Sequence, residues 1–520
     1  MEEKIIGYFR TLDIRIKVIF ISTVSWALIA HGISFFHVTS FHDDAKNLFA
    51  VGSTYEVGRW ALALTADFMG FIFGKSGGSG HISMHLWAGM SLICFLSATV
   101  WLIVKLLDIK GIISCILLTG VFVTCPLIAA LLGYTFTVSY YMFSVFLAVY
   151  GAYLFCRYKK WYTILLGSVF VCWSVGIYQA FFPLTVSLVL LYFIKEINDD
   201  KAINWQNFFK RSISYSLGII LSMLLYFTVT KLSVLWSHIS LSEYKNISGM
   251  GQEGIMVYLK RILLAYEHFF APVKYKGDHR LYTIFPSHTR LIYQIFIYFT
   301  ISVTFVHFST LYRISKTKAC QFSLLVLMLP LAVNFILIMC PLKALSVLMV
   351  YASVMFFVFN VWMVENTVTR KEHTANMVNM INFIGLLILN IMYCRFDNFI
   401  ATKSIFIQER TFSYFTSLIA NIKGTPGYKD ELPVVFLNEG KINDLNVVNI
   451  DFPNIIVAGQ YYQHLINSYS WMDFMKNWCA YSPQSGNASD FINLPEVTDM
   501  PHYPDYGSIK VINDTVVVKF

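Results

Sequence analysis

Long apolar runs separated by short charged segments fill the first three quarters of the chain, and a more polar, turn-rich stretch closes it. A run of about 18 apolar residues, wound as a helix, crosses a hydrocarbon core of roughly 30 Å. Eleven such runs are read, at about 18–36, 82–104, 111–133, 138–155, 162–178, 179–194, 213–235, 291–308, 321–341, 345–364 and 376–394. The fifth and sixth are short and nearly fused around Gln179 and Pro183, so they read equally as a hairpin that does not fully cross. Beyond about 394 the pattern changes. Short apolar runs bounded by turn residues appear at 432–437 and 455–457, and runs at 508–512 and 515–520 flank Asn513-Asp514, a two-residue hairpin signal. Helical spacing covers 405–422 and 461–478. The chain is therefore expected to be an α-helical polytopic membrane protein over 1–394, with a small α/β domain over 395–520.

The distribution of charge orients the spans. With the N-terminus inside, the inner segments are 1–17, 105–110, 156–161, 195–212, 309–320 and 365–375, and every one carries Lys or Arg. The opposite turns near 134–137 and 178–183 hold neither, and 341–344 holds only Lys343. This is the positive-inside pattern, and an odd number of spans then places the C-terminal domain outside. The formal charge of +9 is largely this topological signal. Composition agrees: 57% hydrophobic and 13% charged residues depart from the roughly 45–50% and 25% of soluble chains. An aromatic content of 17% excludes disorder, and nine cysteines, with no Cys-x-x-Cys, exclude a disulfide scaffold and the simplest zinc and redox sites. The first run is longer than a signal-peptide core, lacks a cleavage site, and reads as a permanent anchor.

Candidate chemistry lies outside the runs, in outer loops at about 37–81 and 236–290. The first loop opens with Phe41-His42-Asp43-Asp44. One aspartate suits a helix N-cap; two adjacent ones suggest a general base or a cation ligand. Gly58-Arg59-Trp60 follows, then a short apolar segment to Phe73 that reads as an interfacial helix with Trp60 at headgroup depth. The glycine-rich stretch 74–80 lacks phosphate-loop spacing and reads as a turn. In the second loop, Glu267 and His268 precede Lys274, Lys276 and Arg280, basic residues suited either to a phosphate or to interfacial anchoring. His31 and Lys231 sit near span ends, where an ionisable group is either functional or snorkelling. The C-terminal aromatics Tyr461, Tyr462, Tyr469, Trp471 and Trp478 suit a packed core or sugar stacking.

The order of these features resembles the serotype-converting O-antigen glucosyltransferases, the Gtr family carried by temperate phages of enteric bacteria. It runs from a basic N-terminus and one span through Asp-Asp and Gly-Arg-Trp to many spans and an outer domain. That domain ends in Met500-Pro501-His502-Tyr503-Pro504-Asp505-Tyr506-Gly507-Ser508. The resemblance implies a GT-C-like bundle and an inverting transfer of glucose from undecaprenyl-phosphate-glucose to a hydroxyl of an O-antigen sugar. The reaction would occur at the periplasmic face of the bacterial inner membrane. It implies a first-loop aspartate, Asp43 or Asp44, as catalytic base, and matches Arg59 and Trp60 to the family's Gly-Arg-Trp element. Arg59, Lys274, Lys276 and Arg280 are then candidates for the donor phosphate, and Trp60, Glu267 and His268 for the acceptor or sugar. No cofactor is needed; a divalent metal on the aspartates is compatible but not required. Rival expectations are a GT-C transferase with another lipid-linked sugar or a lipid A acceptor, and a flippase of lipid-linked sugars. One geometric condition follows. On a single helix Asp44 and Arg59 would lie about 22 Å apart, so the chain must turn between them, near Gly52-Ser53.

Overall fold

A computed structural model describes residues 11–40, 43–74, 81–158, 160–200, 204–242, 253–270, 287–340, 347–367, 372–439 and 469–520. Contacts divide the chain into two units: Met1–Phe36 with Phe49–Asn398, and His37–Leu48 with Phe399–Phe520.

Among the described residues the first unit is helical, and eight helices of the chain are long and apolar enough to cross a membrane. They include Ile14–Phe36, His85–Leu107, Thr135–Tyr158, Trp205–Ser237 and Lys316–Val333. A ninth is reached if Ile112–Thr124 and Pro126–Leu132, bent by 41°, count as one span. The two other runs read as spans form shorter helices. Trp161–Ile177 has 17 residues, and among the described residues of the run at 345–364 the α-helix is Val354–Asn366, after two 3-10 turns. Residues 354–364 are buried all round, so their hydrophobicity serves packing inside the protein rather than contact with lipid.

Two local devices hold these helices together. Gly151 and Gly167 let Thr135–Tyr158 and Trp161–Ile177 approach closely: a Cβ on Gly151 would lie 2.7 Å from the Gly167 carbonyl. Nearby, Ser144 Oγ donates to the Ser174 carbonyl at 2.9 Å, and Ser174 Oγ to the Ser144 carbonyl at 2.8 Å. The second device is at the 41° bend. Pro126 has no N–H, so carbonyls of the preceding turn lose their helical donors. Tyr351 Oη donates to the Phe122 carbonyl at 2.7 Å, and His31 Nε2 lies 2.8 Å from the Val123 carbonyl, which can only accept. His31 therefore repairs a helix break. It also lies 3.9 Å from Asp397 Oδ2, and both side chains are buried.

The second unit contains a three-stranded sheet of order β1-β3-β2, with β1 Val434–Leu437, β2 Ile509–Ile512 and β3 Thr515–Lys519. β1 runs parallel to β3, and β2 and β3 form an antiparallel hairpin. Its turn residues Asn513 (φ 48°) and Asp514 (φ 52°) are both left-handed, as a tight hairpin turn requires. The helix Glu372–Lys423 is continuous over 52 residues, although the apolar run within it ends near 394. No Gly or Pro stands between Gly385 and Gly424, so nothing local interrupts it. Its Phe415, Leu418 and Ile422 enter a core with Phe436, Trp471 and Phe474. The region read as one helix at 461–478 is described from 469 onward, where the helix is Trp471–Cys479; the strand-like run at 455–457 lies outside the described residues. The Met-Pro-x-Tyr-Pro ending is built into this fold. Lys519 Nζ donates to the carbonyls of Val497, Thr498 and Met500 at 3.0, 2.8 and 2.8 Å, and the Tyr503 amide donates to the Lys519 carbonyl at 2.7 Å.

Candidate functional site

Asp43 and Asp44 open a single-turn helix, Asp43–Lys46, that packs on the C-terminal part of the chain. Ala45 is fully buried in the core around Trp471 and Phe474, which anchors the turn. Asn477 Nδ2 donates to the Ala45 carbonyl at 3.3 Å, and the Ser40 amide donates to Gln408 Oε1 at 3.1 Å. Asn47 closes the turn, its amide and its Nδ2 both donating to the Asp43 carbonyl, at 2.9 and 2.8 Å. The two carboxylates consequently differ. Asp44 is 1% exposed, whereas Asp43 is half-buried and accepts a hydrogen bond from Tyr469 Oη. Lys46 Nζ lies 5.8 Å from the centre of the Tyr469 ring. Tyr469 was visible in the sequence only as one of several aromatics; its partnership with Asp43 spans 426 positions and left no local signal.

Between Asp44 and Arg59 the chain is not one helix. Gly52 (φ +74°) and Gly58 (φ +70°) turn it, and a 3-10 turn, Tyr55–Val57, lies between them. The turn expected near Gly52-Ser53 is present. The Gly-Arg-Trp element is then docked residue by residue within the first unit. A Cβ on Gly58 would lie 2.7 Å from Tyr226 Oη and 3.3 Å from Gln179 Nε2. Tyr226 Oη donates to the Gly58 carbonyl at 3.2 Å, and Gln179 Nε2 donates to the Val57 carbonyl at 2.8 Å and to Tyr226 Oη at 3.0 Å. Arg59 precedes the helix Trp60–Phe73, with its guanidinium 5.1 Å above the ring of Tyr178. Tyr178 in turn stacks on Tyr141 at 4.5 Å.

Trp60 departs from expectation. It is 4% exposed, packed edge-on against Trp173 at 5.5 Å and closed over Gly176, where a Cβ would meet its ring at 2.8 Å. It is an internal packing residue, neither a headgroup anchor nor an open platform for a sugar. The helix it begins does have one buried and one exposed apolar side, the latter with Phe68 and Phe71 at 60% and 81% exposure. Asp67, passed over in the sequence, is the one charge in this apolar segment and lies on the exposed side. Its charge adds to burial in raising the Tyr55 phenol. Further along, His81 Nδ1 is 3.1 Å from Tyr140 Oη, and burial pushes the His81 ring down to about 4.

The second-loop candidates separate. Glu267 and His268 are on the helix Ile255–Phe270, about 100° apart, so Glu267 faces outward while His268 is 6% exposed on the buried side. Burial pushes His268 down to about 4, so its ring is neutral at pH 7. The two side chains thus present different faces of the helix. Arg261 of the same helix is occupied structurally, 2.6 Å from Glu253 Oε2 and 3.2 Å from the Ile338 carbonyl. Lys274, Lys276 and Arg280 lie outside the described residues. Among the described residues no group of three or more His, Cys, Asp or Glu side chains is arranged to hold a metal ion.

Comparison with known proteins bears on this arrangement. The model of the family described as glucosyl transferase GtrII matches residues 32–357, more than half of the chain. Comparison with curated proteins and with solved structures gives no match. The matched stretch contains Asp43, Asp44, Arg59 and Trp60, and ends before Tyr469. The chain belongs to the GtrII glucosyl transferase family.

Proposed function

Proceeding from that membership, we propose that this glycosyltransferase moves glucose from undecaprenyl-phosphate-glucose to a hydroxyl of an O-antigen sugar. The step takes place at the periplasmic face of the bacterial inner membrane. Asp43 is the general base. The acceptor oxygen attacks the anomeric carbon as the bond to the phosphate oxygen breaks, and the electron pair leaves with the phosphate. The hydroxyl proton passes to Asp43, whose contribution as a positioned base is typically a hundredfold or more. One displacement inverts the anomeric centre. The observation that carries this reading is the contrast within the aspartate pair. Asp43 is accessible and oriented by Tyr469 Oη, while Asp44 is buried beneath it. Asp44 then supports the turn and its charge.

The leaving phosphate needs fixed positive charge as it departs. Arg59 is the described residue for that role. Its guanidinium lies 5.1 Å from the centre of the Tyr178 ring, and a guanidinium offers a planar fork of donors that suits phosphate oxygens. Lys274, Lys276 and Arg280 are the further basic candidates. The scheme needs no metal.

The test is transfer from synthetic polyprenyl-phosphate-glucose to O-antigen in membranes, at matched expression. Asp43→Asn is expected to lose activity about a hundredfold or more. Tyr469→Phe is expected to lose about tenfold, the worth of one hydrogen bond to a charged group. Asp44→Asn is expected to lower the amount of folded protein more than the turnover of what remains. Full turnover in Asp43→Asn would sink the base assignment. Absence of transfer from any polyprenyl-phosphate sugar by wild type would sink the donor.

A further inference from the structure

One carboxylate outside the aspartate pair has no structural task. Trp60, Leu64, Asp67 and Phe71 repeat at helical spacing along one face of the helix Trp60–Phe73. Trp60, at the start of that face, is 4% exposed, whereas Leu64 and Phe71 are 40% and 81% exposed. The cover that Trp173 and Gly176 give this face therefore ends after its first turn. Asp67 stands in the open part, with Leu64 and Phe71 one turn to either side. Among the described residues it makes no hydrogen bond or ion pair. The helix is also pinned against turning it away: Trp173 Nε1 donates to Thr65 Oγ1 at 3.0 Å, and Trp60 is closed over Gly176. A carboxylate fixed among apolar side chains in a membrane protein is costly unless a ligand meets it.

The surroundings of Asp67 are phenolic and lead back to Arg59. Its charge acts on the phenols of Tyr55 and Tyr140. Tyr140 Oη is 3.1 Å from His81 Nδ1. The next residue, Tyr141, stacks on Tyr178, and the Arg59 guanidinium lies 5.1 Å from the centre of the Tyr178 ring. Arg59 and Asp67 are eight residues apart, about 12 Å along the helix axis. A hexosyl phosphate with one charge-assisted hydrogen bond at each end bridges a separation of this order. The chemistry of the carboxylate narrows its ligand. It only accepts hydrogen bonds, and its two oxygens can take two neighbouring hydroxyls. A phosphate or an acidic sugar is repelled, whereas a neutral hexose brings hydroxyl donors and C–H surface for the apolar neighbours.

We infer that Asp67 reads the glucose of the donor, accepting hydrogen bonds from hydroxyls on the ring edge away from the phosphate while Arg59 holds the phosphate. The inference rests on the donor reading above and adds to it the residue that selects the sugar.

The test uses purified enzyme in nanodiscs, with undecaprenyl-phosphate-glucose and its monodeoxy analogues, one for each hydroxyl. Wild type is expected to use one or two analogues, deoxy on the edge away from the phosphate, about ten- to a hundredfold less well in kcat/KM, the range for one hydrogen bond to a charged group. Asp67→Ala is expected to lose the same factor with the glucose donor and nothing further with those analogues, so that discrimination disappears. Asp67→Asn, which keeps an acceptor oxygen, should fall between. A merely structural aspartate would lower kcat/KM for every donor by one factor and leave discrimination intact, and that outcome overturns the inference. Wild-type use of every analogue as readily as glucose overturns it as well, a result that depends on no variant folding. A rise confined to the acceptor KM in Asp67→Ala would put the carboxylate on the acceptor and also overturn it. In each of these cases wild-type transfer leaves the donor reading standing. No transfer from any polyprenyl-phosphate sugar overturns the donor reading, and the role of Asp67 with it.

Discussion

Replacing Gly58 by alanine tests whether the Gly-Arg-Trp element is held by its backbone. Gly58 has φ +70° and ψ 21°, so any side chain there costs about 1–2 kcal/mol. The new Cβ would also stand 2.7 Å from Tyr226 Oη, and the hydroxyl would have to retreat by about 0.7 Å to reach ordinary contact. That retreat stretches the bond from Tyr226 to the Gly58 carbonyl and disturbs the bond from Gln179 to Tyr226, each worth about 1 kcal/mol. The total is about 3–4 kcal/mol, concentrated where Arg59 is positioned. Thermal unfolding of the purified protein, followed by tryptophan fluorescence, measures the loss, and the transfer assay measures its effect on Arg59. Gly32→Ala, where nothing lies within 4 Å and φ is ordinary, serves as the unstrained control. Tyr226→Phe in the Gly58→Ala background removes the obstructing oxygen and is expected to recover about 1 kcal/mol, although Tyr226→Phe alone is destabilising. Equal, small losses in Gly58→Ala and Gly32→Ala, or no recovery in the double variant, would refute the docking argument.

Two further outcomes follow from buried ionisable groups. His81 and His268 are held down to about 4 by burial, from an ordinary value of 6.5. The unfolded chain therefore binds more protons between pH 6.5 and 4. Each contributes up to about 3 kcal/mol that is present above that window and is lost as pH falls through it. Melting temperature should decline as pH falls from 7 to 5, and His268→Gln should flatten the decline; a flat profile in wild type would count against both burials. The His31–Asp397 pair should respond asymmetrically. Asp397→Asn removes an ionisable group that has no hydrogen-bond partner among the described residues, so stability should hold or rise. His31→Ala strips the donor from the Val123 carbonyl and should cost about 1–3 kcal/mol, measured by the same melts.

Much of the molecule was legible along the chain because the deciding physics is local. A run of apolar residues is driven out of water whatever lies elsewhere in the sequence, so nearly every expected span corresponds to a helix. Asn513-Asp514 announced the β2–β3 hairpin because left-handed backbone is a property of those residues themselves. The aspartate pair stood out for the same kind of reason: two adjacent charges beside a membrane span have a cost that sequence alone reveals.

What the tertiary structure decided was partnership. The 41° bend at Pro126 needs donors, and they come from His31 and Tyr351, far away in the chain. Trp60 looked like an interfacial anchor, but Gly176 leaves room for its ring and the core takes it in. Glu267 and His268 are neighbours in sequence, and helical pitch turns them apart. Asp43 and Asp44 are chemically identical, and their difference arises because Ala45 enters the C-terminal core, Asp44 is buried beside it, and Tyr469 donates to Asp43. Local propensity and hydrophobicity are summed along the chain and can be read there. Burial, hydrogen-bond partners and the distinction between two like carboxylates depend on which distant surfaces meet, and only the fold brings those surfaces together.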